Sequence, residues 1–261
     1  MEKKFKDTWN EMSRREKISW LWTYYKIPAL AVVGVIGIGV YSATSMNNGQ
    51  QVTAYEAYFV NTGAGEGVEE QMTEEFRNFA EISEQEKTVL NLSLSLQPGS
   101  TLSDFDRAAS DQITVEEERK ELDILVADAW NFNYLTSLAM ISDLRDVLTE
   151  EELSEVSEDL FYIDLAVLKE EQQKQREDSN YFGPSVTKED ALASEERGSF
   201  KLPDPEQMEE PVPVGIRITE YAEVEKHELY KETEAILGFA QGSEKKELGM
   251  QFLNYLRDGI H

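Results

Sequence analysis

From Ile27 to Ala43 the chain reads IPALAVVGVIGIGVYSA, inside 29 residues between Lys26 and Glu56 that carry no charge. A helix needs roughly 20 mostly apolar residues to cross about 30 Å of hydrocarbon. Residues 27–46 are therefore expected to form a single transmembrane helix. Trp20, Trp22, Tyr24, Tyr25 and Lys26 precede it, amphipathic rings and a cation of the kind that settle at the headgroup level.

Beyond this run the apolar positions are shorter and alternate between two periods. Ala54–Val60 is aromatic and β-branched and reads as a strand, and Asn61–Gly67 (NTGAGEG) breaks it. Val68, Met72, Phe76 and Phe79 recur at helical spacing. Thr88–Leu96 alternates as a half-buried strand, 104–120 is a polar helix, and Leu122–Ala127 is a short interior strand. A helix follows from Asp128 to about Met140, with Leu144 and Leu148 closing that unit, and Leu160–Val167 is the next strand. Residues 169–213 are charged, hold Pro and Gly breakers in their second half, and read as an exposed excursion. Val214–Ile218 and Ala235–Ala240 are strands, and Ser243 caps a last helix that Gly259 stops. Strands alternating with helices point to a parallel sheet built from βαβ crossovers.

Charge orients the span. Residues 1–26 carry seven cations against four acids, and Asn47–Gln51 carries none. The positive-inside bias puts 1–26 in the cytoplasm as a juxtamembrane segment and 47–261 outside the cell. A cleaved signal peptide is the competing reading, since Ala43-Thr44-Ser45 offers small residues to a peptidase. The bulky leader and the capping box Ser13-Arg14-Arg15-Glu16 favour an uncleaved anchor. Gly39 and Ala43 form a small-xxx-small pair; a lone anchor is the default against helix pairing.

Composition narrows the partners. The net charge is −27, and removing the +3 of residues 1–26 leaves −30 on the rest. Nucleic acid is excluded as a partner, because phosphates are held by Lys and Arg that release counterions. Solubility is the plain account of the acidity, and a cationic ligand or loose divalent-ion binding the sharper one. The chain has no cysteine. It therefore has no disulfide, thiolate zinc site, cysteine nucleophile or lipid-modified cysteine anchor.

Two stretches have a family look. LDILVADAWNFNYLTSLAMISDLRDVL at 122–148 resembles the part of type 2 extracellular solute-binding proteins where a strand ends in Ala-Asp and a helix leads to an Asp-Leu-x-x-x-Leu close. ILGFAQGSEKKELGMQFLNYLRDG at 236–259 is similar to their strand, Gly-Ser turn and terminal helix. The resemblance implies an α/β, periplasmic-binding-protein-like extracytoplasmic domain, reduced in size. Family members that feed transporters usually have two full lobes and a lipidated cysteine, and this chain departs from both.

In an open α/β sheet the ligand crevice lies beyond the carboxyl ends of the strands. That selects Thr62, Gly63 and Gly65; Gln97, Ser100 and Thr101; and Asp128, Trp130, Asn131 and Tyr134 as ligand-binding candidates. Gly63, Gly65 and Gly67 lack the G-x-G-x-x-G spacing of a phosphate loop, and Glu66 opposes an anion. A plain turn is the default. Asp128 could pair with a ligand amine, but a strand-terminal Asp more often caps the next helix. Trp130 and Tyr134 share a helical face, where packing is the default over a ligand platform.

Catalysis finds little footing. Only His227 and His261 are present, too few for a His-based nucleophile system or a multi-His metal centre. Glu116-Glu117-Glu118 and Glu150-Glu151-Glu152 read as solvated helix faces, and Asp104 and Asp106 lack the Gly and terminal Glu of a calcium loop. No catalytic residue, metal ligand or cofactor is expected. Two functions remain: a membrane-anchored extracytoplasmic binding module for a small solute or peptide, or an interaction subunit of a membrane complex. The partners are the bilayer through 27–46 and, beyond it, a transporter or other membrane protein. A crevice filled by the protein's own side chains favours the second reading.

Overall fold

The fold is described here from a computed structural model, for residues 52–97, 104–177, 196–197 and 199–259. The expected transmembrane helix at 27–46 lies outside them, and among the described residues no helix is long and apolar enough to cross a membrane.

Six strands form one sheet: β1 Thr53–Val60, β2 Lys87–Leu94, β3 Ile124–Asp128, β4 Leu160–Asp164, β5 Pro211–Arg217 and β6 Ala235–Phe239. Between them run helices α1 Val68–Phe79, α2 Asp104–Glu118, α3 Ala129–Ser137, α4 Leu144–Val147, α5 Glu150–Glu155, α6 Leu165–Glu177 and α7 Ala222–Lys226, and α8 Lys246–Asp258 follows β6. The α/β class expected from the alternation is present. Most element positions agree to within a few residues, and α1 matches its apolar spacing end to end.

The sheet is mixed, in the order β2-β1-β3-β6-β5-β4. β1 is parallel to β2 and β3, as βαβ logic requires, whereas β6 is antiparallel to β3 and β5, and β4 to β5. The expectation of a parallel sheet therefore holds for one half only. β6 enters from the end where β5 finishes and runs opposite to it.

Two further expectations change near β4. The strand stops at Asp164 because its carboxylate accepts the Ala166 amide (3.0 Å), opening α6 where Leu160–Val167 reads as continuous strand. The excursion also shrinks: residues 169–177 are helical, and 211–213 belong to β5, where Val212 and Pro213 are buried. Prolines donate no ladder hydrogen bond and survive only where one strand side is free. That condition is met, since the 211–213 segment pairs with β4 alone and β6 joins only at Ile216 and Arg217. Asp164 fastens the returning chain by accepting from the amides of Glu209 (2.9 Å) and Glu210 (3.1 Å). Phe200 and Leu202 pack against the core.

Both faces of the sheet are covered, so strand residues divide by parity. Tyr55, Ala57 and Phe59 of β1 face Met72 and Phe76 of α1 and Phe252 and Leu256 of α8. Tyr58 and Val60 face the other way, into a second cluster with Ile113 of α2 and Phe132 and Leu135 of α3. All five residues of β3 are buried, which is why LDILVA carries no polar alternation. Phe76 and Phe252 meet edge-on at 4.8 Å and Tyr55 joins Phe76 at 4.9 Å, an aromatic cluster tying β1, α1 and α8. Ser243 is not the cap of α8. Lys245 occupies that place, while the Ser243 hydroxyl donates to Asp123 (2.8 Å).

Candidate functional site

The parallel strands β1, β2 and β3 bring their carboxyl ends together, and Asn61, Leu96 and Asp128, at the starts of the selected loops, meet there. Asp128, the last residue of β3, is buried. Its Oδ1 accepts the Asn131 amide (2.9 Å), the capping role that a strand-terminal Asp takes by default. Its Oδ2 accepts from the side-chain amides of Asn131 and Asn61, both at 2.8 Å. Asn61 ends β1 in the left-handed region (φ 58°), a conformation asparagine tolerates. From there its side chain exchanges two hydrogen bonds with the backbone of Leu96 (2.6 and 3.0 Å).

The remaining space is taken from across the chain. Tyr230, between α7 and β6, donates its amide to the Thr62 carbonyl (2.9 Å) and its phenol to the Val60 carbonyl (2.8 Å), 3.3 Å from that of Val126. Burial, and then the charge of Asp128, push that phenol's pKa well above its ordinary value. Thr62 is buried, donating to the Leu92 carbonyl (3.0 Å) and accepting the Ala64 amide (2.9 Å). Among the described residues, the crevice is therefore filled by Tyr230 and bridged by the hydrogen bonds of Asn61, Asp128 and Asn131.

Of the other candidates, Gly63, Gly65 and Gln97 are exposed at the rim, and Ser100 and Thr101 lie outside the described residues. Gly63 takes φ 67°, the turn role. Trp130 and Tyr134 are half-buried and stack on one another, centroids 6.0 Å apart at 14°, so they pack together as helix neighbours. Tyr134 also packs against the second core cluster.

Two features lie away from the selected loops. An open groove of about 430 Å³ runs between α1 and the edge strand β2, lined by Glu69, Glu70, Glu74, Arg77 and Thr88 among others. Arg77 Nε and Thr88 Oγ1 are buried there without hydrogen-bond partners. The second feature joins three helices. Glu75 of α1, Glu223 of α7 and His227 just after α7 place one donor atom each within 4.8 Å of one another. Lys226 Nζ bonds Glu223 Oε2 (2.8 Å) and Glu75 Oε2 (3.0 Å), and the Tyr255 hydroxyl of α8 donates to Glu75 Oε2 (3.1 Å). Burial alone would raise the Glu75 carboxyl, but hydrogen bonds from Gln71, Lys226 and Tyr255 outweigh it and bring the pKa down to about 2.

Sequence reasoning missed Asn61, Tyr230 and this cluster. An Asn directly after a strand and a Glu-x-x-x-His spacing at 223–227 were the available signals. Nothing local marks Tyr230 or couples Glu75 to a helix some 150 residues later. No protein-family model, curated protein or solved structure matches this chain.

Proposed function

We propose that the chain is a membrane-tethered interaction subunit, held by a helix at 27–46 and carrying its α/β body on the outer side, without catalysis. On this reading the likeness to type 2 extracellular solute-binding proteins is a likeness of frame, with the ligand crevice given up. The observation that supports it is the plugged crevice. A small solute needs a concave site that buries most of its surface, and here the Tyr230 phenol and the Asn61–Asp128–Asn131 network occupy that place with internal hydrogen bonds. Displacing buried, paired polar groups costs about 1–3 kcal/mol each, which weighs against a loosely closing binding module.

The body then works through its surface. Its acidity and the Glu-lined groove beside β2 suit a basic partner segment. The test is affinity recovery of the tagged full chain from membranes in mild detergent, with mass spectrometry of proteins, lipids and small molecules. A stoichiometric membrane-protein companion is expected. A stoichiometric small solute or peptide with no protein companion would return the body to the binding-module class.

A further inference from the structure

We propose that Glu75, Glu223 and His227 form a site for a divalent transition-metal ion, Zn²⁺ foremost, that pins α1 to α7. Acidic side chains alone would not carry this. The imidazole does. The His227 side chain is 5% exposed, and its Nε2 is buried with no hydrogen-bond partner. It nevertheless points at two carboxylate oxygens, Glu223 Oε2 at 3.2 Å and Glu75 Oε2 at 3.6 Å. A tetrahedral ion with ligands at 2.0–2.2 Å sets those ligands roughly 3.3–3.6 Å from one another. The two distances around Nε2 lie at or just under this spacing, so a metal between the three atoms satisfies the orphan nitrogen and both carboxylates at once.

The surroundings support ligation. Tyr255 donates to Glu75 (3.1 Å), an outer contact of the kind that orients a ligating carboxylate. Gly259 leaves room for Glu223, since a Cβ there would stand 2.8 Å from Oε1. Lys226 supplies the positive charge between the acids, but its side chain is 44% exposed and can leave for solvent. A cluster built for the lysine alone leaves Nε2 without purpose, and buried polar atoms are rarely left unpaired. With the ion bound, the direction vacated by Lys226 is open to water or to a side chain of another protein. Mixed N/O donors favour Zn²⁺, Co²⁺ or similar ions over Ca²⁺, which wants six to eight oxygens.

The experiment strips the purified full chain with a chelator and titrates Zn²⁺ by calorimetry and Co²⁺ by visible absorption, beside variants whose circular dichroism matches the parent. One saturable equivalent is expected, with Co²⁺ bands of a four-coordinate site and no competition from equimolar Ca²⁺. His227→Gln and Glu223→Gln are each expected to weaken that equivalent about tenfold or more, leaving weak surface-carboxylate binding unchanged. Lys226→Met removes the competing ammonium and is expected to tighten Zn²⁺ several-fold, a gain that a metal-free ion cluster does not give. No saturable equivalent, undiminished binding in His227→Gln, or no gain in Lys226→Met would each overturn the site.

Discussion

Phe132 lies across the sheet only because β5 and β6 offer it glycine. A Cβ at Gly238 would stand 2.8 Å from the ring and 2.8 Å from Ile141 Cγ2, and one at Gly215 would meet the same ring at 2.8 Å. Gly238→Ala is therefore expected to cost about 1–3 kcal/mol in chemical denaturation, the range for overpacking a filled core. Neither glycine looks special in sequence, since the ring that needs the space comes from a distant helix. Glu56 makes the electrostatic case at the same scale. It is 4% exposed, and burial raises its pKa, with Tyr58 opposing through a hydrogen bond. A raised folded pKa means stability that is full below the unfolded value of 4.5 and is lost as pH climbs through the folded one. Glu56→Gln is expected to melt higher than the parent at neutral pH, with the gap closing as pH falls below that value. A gap that widens on acidification would contradict this.

Among the elements, helices are most legible where a single apolar stripe sets them. Val68, Met72, Phe76 and Phe79 recur every three or four residues and α1 spans those bounds. β5 starts three residues ahead of the strand its sequence predicts, because Pro211 and Pro213 look like breakers. Their tolerance depends on which strand side is unpaired, a property of the neighbours. Asp128 shows how one side chain joins three elements, capping α3 and holding Asn61 at the end of β1 beside β2. Removing it leaves one amide and two Asn side chains short of an acceptor. Asp128→Ala is expected to lower stability by roughly 2–4 kcal/mol, read as an earlier denaturant midpoint with an unchanged slope. Retained stability would mean that water replaces the carboxylate.

For the molecule as a whole, the apolar run at 27–46 and the charges before it are the grounds for placing the α/β body outside the cell. Protease added to intact cells is expected to digest that body. Protection until the membrane is permeabilised would reverse the orientation, and a mature chain beginning near Met46 would remove the anchor. Acidity bears on the same scale. The net charge of −30 on residues 27–261 opposes nucleic acid and anionic headgroups and is complementary to a basic protein surface or a cation.

The α/β class, the approximate order of strands and helices and a candidate span are legible along the chain, because periodicity and charge act over a few residues at a time. Tertiary structure alone decided that β4, β5 and β6 run antiparallel, that Tyr230 fills the crevice, and that Glu75 meets Glu223 and His227. Each of these depends on which distant segments share a face. That choice is made by burial of the whole chain and leaves no local period to read.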